Sequence, residues 1–93
     1  MTVRDTIEQK LNAGLAPERL VVEDYSHQHA GHANADPGGG SHIRVAAVST
    51  AFRGQARPQR HRTVHKLLAD ELAGPVHALA LDLRTPEEDA ASV

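Results

Sequence analysis

The sequence predicts a small α+β domain, with helices packed on one face of a three-stranded mixed sheet. Two stretches, Leu20–Ser26 (LVVEDYS) and Ser41–Ser49 (SHIRVAAVS), have the β-branched content or the alternation of strands. A third, Pro58–Leu81, joins an amphipathic helical pattern through a Gly-Pro break to another alternating run. The chain has 93 residues, 40% of them apolar, enough for one modest core. Tyr25 and Phe52 are its only aromatic residues, so Leu, Val, Ile and Ala must fill that core.

The first element is a short helix. Thr2 and Asp5 resemble a capping box with Asp in place of Glu, and Val3, Ile7 and Leu11 recur every four residues. Gly14 is a natural stop, and Pro17 disfavours helix at Ala16. The first strand comes next, at Leu20–Ser26. In the second, Ile43, Val45 and Ala47 alternate with His42, Arg44 and Ala46, which fits one buried face. Between them lies HQHAGHANADPGGG, residues 27–40, with four glycines and three histidines. A fourteen-residue connection in so small a domain is expected to be a flexible loop or a functional one.

After a turn around Phe52 and Gly54, with room for a short helical turn before Pro58, the main helix starts at Pro58. His61, Val64, His65, Leu68 and Leu72 share a face, so His61 and His65 are expected to be packed structural residues. Gly74 and Pro75 end the helix. Val76 to Leu83 then alternates, with His77, Leu79, Leu81 and Leu83 on one side. The last residues, 87–93, are expected to form a polar, frayed tail after a single domain at 1–86. The order read from the residues is α-β-β-α-β. The first two strands pair antiparallel, and the helix before the third permits a parallel crossover.

Composition narrows the function. With no cysteine, the chain cannot form disulfides, use thiolate catalysis or hold an iron–sulfur cluster by itself. No segment has the roughly 20 apolar residues of a membrane span, and MTVRDTIEQK lacks a signal-peptide core, so a cytoplasmic location is expected. No nucleophile with a base, no paired carboxylates and no phosphate-binding glycine loop is visible, and Gly38–Gly40 reads as slack before a strand. A non-enzymatic protein without a small-molecule substrate is expected. The net charge is −2, yet Arg53, Arg57, Arg60, Arg62 and Lys66 fall within fourteen residues that contain no acid. The seven histidines are the other anomaly.

The ordered set Phe52-x-Gly54, Arg60-His61-Arg62-x-Val64, Glu71-Leu72-x-Gly74 and Val76-His77-Ala78-Leu79 resembles the BolA family. Ser26-His27-x-His29 and Ser41-His42-Ile43-Arg44-Val45 fit the same pattern, and the resemblance runs from about Ile7 to Pro86. It implies an α-β-β-α-α-β fold similar to the type II KH domain. It also implies two activities: partnership with a monothiol glutaredoxin around a shared [2Fe-2S] cluster, and DNA-binding transcriptional regulation. The loop here is longer and richer in glycine than in many members, and the absence of cysteine places the chain with members that use a loop histidine.

By that resemblance His77 is a cluster ligand; taken alone it would read as a partly buried histidine beside Leu79. His29 matches the loop ligand best, with His32 as substitute and His27 as a third choice. As an alternative, the three loop histidines could take zinc or copper, since imidazole suits both. The basic residues Arg53, Arg57, Arg60, Arg62 and Lys66 read as phosphate contacts for duplex DNA, as a docking face for an acidic partner or glutathione carboxylates, or as a solvated helix face. The pattern GQAR at Gly54 lacks the KH Gly-x-x-Gly clamp for single-stranded RNA.

Overall fold

The computed structural model describes residues 2–25 and 41–91, and the loop expected at 27–40 lies outside the described residues. Helix α1 spans Val3–Leu15 and opens with the capping box: the Asp5 amide donates to Thr2 Oγ1 (3.1 Å), and the Thr2 amide donates to Asp5 Oδ2 (3.2 Å). The helix ends later than Gly14. Its cap is Ala16, in the left-handed conformation at φ 44°, just before Pro17. Gly14 serves a different purpose: a Cβ there would lie 2.8 Å from both methyl carbons of Leu67, so its missing side chain lets a second helix approach.

Strands β1 (Arg19–Asp24), β2 (His42–Val48) and β3 (Ala78–Arg84) form one sheet in the order β1-β2-β3. β1 pairs antiparallel with β2, and β2 pairs parallel with β3, giving the expected mixed sheet. Ile43, Val45 and Ala47 are buried at 1% exposure or less, as their alternation predicts. Val22 lies opposite Val45 and Leu83 opposite Ala47 on the same inner face. Ile7, Leu11 and Leu15 of α1 close the core against them, with Phe52, Val64 and Leu68. Ser49, fully buried after β2, donates through Oγ to the Leu15 carbonyl (2.6 Å) and accepts from the Ala51 amide (3.0 Å). It joins the end of α1 to the 3₁₀ turn Thr50–Phe52.

The helix expected from Pro58 to Gly74 is two helices, α2 (Arg57–Leu67) and α3 (Ala69–Ala73). They meet at Leu68, whose φ of −106° and ψ of 22° leave the helical path while its side chain is buried in the core. No glycine or proline marks this break; tertiary packing makes it. The pair restores the α-β-β-α-α-β order that the family resemblance implies.

Two further expectations are corrected. His61 and His65 are exposed, because α2 turns Arg60 and Val64 inward in line with Leu68. The stretch expected to fray is helical through Ala91: Pro86–Ala91 forms helix α4. The Glu88 amide donates to Thr85 Oγ1 (3.2 Å) and the Thr85 amide to Glu88 Oε1 (2.9 Å), a second capping box with Pro86 in the first turn. Lys10 of α1 grips Glu71 of α3 at 2.8 and 2.9 Å, and this contact holds the Lys10 ammonium above its usual range.

Candidate functional site

The sheet topology sets where the histidines fall. β1 ends, and β2 and β3 begin, at one end of the sheet, so Tyr25, Ser41, His42 and His77 gather there. The sequence connects Tyr25 to Ser41 through residues 26–40, and Ser41 is the end of that segment beside His77, with Tyr25 across β2 from it. The Tyr25 amide donates to the His42 carbonyl at 3.0 Å, which closes the base of the segment.

His77 is exposed and precedes the strand instead of lying on its inner face beside Leu79. The amides of His77 (2.8 Å) and Ala78 (3.1 Å) both donate to the Ser41 carbonyl. Two consecutive residues facing one acceptor shift the alternation as a bulge does. Val76 is therefore buried at 3%, the Leu79–Leu83 face stays inward, and the imidazole of His77 is turned out. On the other side of His77, the Val76 amide donates to the Glu71 carbonyl (3.0 Å) across Gly74 and Pro75. The backbone is thus clamped on both sides while the ring has no hydrogen-bond partner among the described residues. His29, His32 and His27 lie outside the described residues.

His42, an ordinary strand position by its place in the sequence, belongs to this site as well. It is half-buried at the same sheet end, its Nδ1 is 2.9 Å from Ser41 Oγ, and Tyr25 meets it edge-on at 5.7 Å. The Arg44 guanidinium lies 5.4 Å from the Tyr25 ring centre. These contacts stiffen the platform on which the segment lands. The adjacency of Ser41-His42 to His77 is a register property of parallel strands, and nothing in the linear order announces it. Among the described residues no three His, Asp or Glu side chains are grouped to hold a metal ion.

The basic stretch divides into two sets. Arg53 makes a two-point contact with Glu87 (2.9 and 2.6 Å). Arg60 is buried at 6% and spends its guanidinium on Glu88 (2.6 and 3.2 Å), the Gln55 carbonyl (2.9 Å) and the Leu83 carbonyl (3.1 Å). Arg60 is therefore a structural residue, its guanidinium committed to partners within the fold. Its contact with Glu88, helped by the Thr85 amide, lowers the Glu88 carboxyl from 4.5 to about 2. Arg57, Arg62 and Lys66 stay exposed, and α2 has no acid in its first turn. Arg57, Pro58, His61, Arg62 and His65 line a shallow cavity of about 460 Å³ on this helix.

Comparison with known proteins agrees with this architecture. A family model described as BolA-like protein matches residues 11–88. BolA-like protein 1 of Homo sapiens is 48% identical over 86 residues, covering 92% of this chain and 60% of that protein. The DNA-binding transcriptional regulator BolA of Escherichia coli is 42% identical over 88 residues, covering 95% of this chain and 80% of that one. The solved BolA domain of SufE1 from Arabidopsis thaliana superposes with a TM-score of 0.81 at 44% identity, over 91% of this chain and 93% of the domain. By fold, by sequence and by the spacing of its motifs, this chain belongs to the BolA family.

Proposed function

We propose that the chain pairs with a monothiol glutaredoxin and contributes His77, together with His29 or its substitute His32, to a [2Fe-2S] cluster shared by the two proteins. One observation carries this reading. His77 projects from a backbone clamped to Ser41, so this fixed histidine stands at the end of the sheet where the chain segment that carries His29 and His32 rejoins it, which supports the pairing of His77 with one of them. The donor set fits such a group only in part: the chain has imidazoles and no thiolate, so the sulfur ligands must come from the partner. Such a cluster supplies one-electron chemistry, and neutral imidazole in place of thiolate raises its potential, which favours sensing or transfer of iron–sulfur units over storage. Visible absorption and circular dichroism of a cluster-loaded monothiol glutaredoxin, titrated with this protein, test the proposal. A new spectrum that His77→Ala abolishes is expected. An unchanged spectrum, or one that His77→Ala leaves intact, overturns it.

A second reading, DNA-binding regulation, is favoured by the exposed basic residues Arg57, Arg62 and Lys66 on an α2 that carries no acid, and by the name that the Escherichia coli relative bears. Its test is salt-dependent binding to duplex DNA, with Arg57→Ala and Arg62→Ala compared; Arg60 is unsuited to that test because it is buried. Loss of affinity in both variants is expected. Indifference to both removes this face.

A further inference from the structure

Helix α2 contains two residues that the DNA reading has not used. His61 and His65 are exposed one helical turn apart, with ring centres 6.5 Å from each other, and both line the cavity that Arg57 and Arg62 share. Neither ring has a hydrogen-bond partner among the described residues. The charged groups on the elements against α2 are engaged elsewhere: Arg4 with Asp5 and Glu8, Lys10 with Asp70 and Glu71, Asp82 with Arg84, and Glu88 with Arg60. Among the described residues, these elements leave no carboxylate to pair with a charged imidazole here, so its charge is available to an incoming anion.

We propose that His61 and His65 are proton-dependent phosphate contacts, which add to the three fixed positive charges of Arg57, Arg62 and Lys66 that α2 offers a duplex. The inference rests on the DNA reading and adds its regulation. Histidine is the side chain whose charge changes between about pH 5 and 8. The guanidinium, imidazole and ammonium groups are all exposed on α2, where they can neutralise phosphates of a duplex, and each neutralised phosphate releases counterions. Each contact steepens the fall of log affinity with log salt by about 0.9. Three contacts predict a slope near −2.7, and two more predict about −4.5. Arg53 and Arg60 do not add to this count: Glu87 and Glu88 neutralise them.

The experiment measures fluorescence anisotropy of a labelled duplex of about 30 base pairs with the full chain, from 0.05 to 0.3 M salt, at pH 8 and pH 5.5. Wild type and the His61→Gln/His65→Gln variant are compared; both positions are exposed, and circular dichroism checks that the variant folds. The expected result is a wild-type slope steeper by about 1 to 2 at pH 5.5, affinity at least about tenfold higher there at 0.1 M salt, and loss of both effects in the variant. Binding with a slope that does not change with pH overturns the inference and leaves the DNA reading standing. A pH effect that survives in the variant also overturns it, assigning the protons to histidines elsewhere. No binding at either pH in 0.05 M salt removes the DNA reading and the inference together.

Discussion

Arg60 and Glu88 form the contact that fastens the C-terminal helix to the body of the domain, with Nη1 and Oε1 2.6 Å apart and Nη2 and Oε2 3.2 Å apart. The guanidinium is buried while the carboxylate side chain is 43% exposed, so one charge is desolvated and its partner is wet. The pairing is specific because Arg60 is also held by the Gln55 and Leu83 carbonyls.

The acid sensitivity of the fold comes in part from that contact. Glu88 is lowered from 4.5 to about 2, so its folded form binds a proton less readily than the unfolded chain. A depressed carboxyl contributes stability that is complete above its unfolded value and lost as pH falls through the folded one. Thermal unfolding should therefore show a midpoint falling between about pH 5 and pH 2. Glu88→Gln should flatten this part of the profile. An equal slope in the variant assigns the acid sensitivity to other carboxyls, such as Glu87 or Asp5, which are also lowered.

Removing Arg60 should be more damaging than removing Glu88. Arg60→Ala leaves two carbonyls and a carboxylate without their donor, at a cost of about 2–4 kcal/mol. Arg60→Lys cannot reach all three acceptors and should recover only part of the loss. Urea unfolding measures both. Truncation after Thr85 should also lower stability, since it deletes Glu87, Glu88 and Asp89, the acids that Arg53, Arg60 and Arg19 hold. A truncated chain as stable as the whole would show that α4 is only loosely attached.

Much of this fold is legible in the sequence because local chemistry and global packing agree. Thr2 and Asp5 announce the first helix, and the alternation of Ile43, Val45 and Ala47 announces the buried face of β2. The departures have physical causes. Arg60 occupies a buried position that looks polar in the sequence, so the apolar stripe of α2 reads one residue out of phase and places His61 and His65 inside. Thr85-Pro86-Glu87-Glu88 carries a capping box and a first-turn proline, signals masked by the polarity of residues 87–93. His77 reads as part of a strand face when alternation is carried through Val76, whereas the shared Ser41 carbonyl resets it. Of the candidate site, His77 is visible from the motif. The role of Ser41 and His42 beside it depends on strand register between residues over thirty apart, which composition does not encode.

Ser49 should prove a structural residue despite its hydroxyl. It is fully buried and bonds the Leu15 carbonyl and the Ala51 amide at once. Ser49→Ala leaves both groups unpaired in the core and should cost about 1–3 kcal/mol. Ser49→Thr adds a methyl to a site with no exposure and should also destabilise. Chemical denaturation of both variants checks this; a neutral Ser49→Ala would mean that the α1 terminus relaxes to find another donor.

His77→Ala should separate function from folding. The ring is exposed and has no partner among the described residues, whereas the structural contacts at this position belong to the backbone amide and persist in the variant. Unfolding free energy should change by no more than about 0.5 kcal/mol, while the spectral response to a cluster-loaded glutaredoxin disappears. A substantial loss of stability would mean that the imidazole serves the fold, and the spectral result could then no longer be read as lost ligation.

Gly14 and Leu67 offer the sharpest test of how α1 and α2 approach. Glycine inside a helix costs about 1 kcal/mol relative to alanine, so Gly14→Ala should stabilise α1 by that amount if nothing else intervened. A Cβ at that position meets Leu67 Cδ1 and Cδ2 at 2.8 Å, closer than van der Waals contact permits. The leucine side chain can turn away, but only by giving up part of its packing on the core edge. The two effects oppose each other, so Gly14→Ala alone should lie within about 1 kcal/mol of wild type. In a Leu67→Ala background the obstruction is gone, and the same change should stabilise by about 1 kcal/mol. The double-mutant cycle therefore predicts a favourable coupling between the two substitutions, read from urea midpoints at constant m-value. Additive effects would mean that the helices separate to admit the methyl and that Gly14 does not set their spacing.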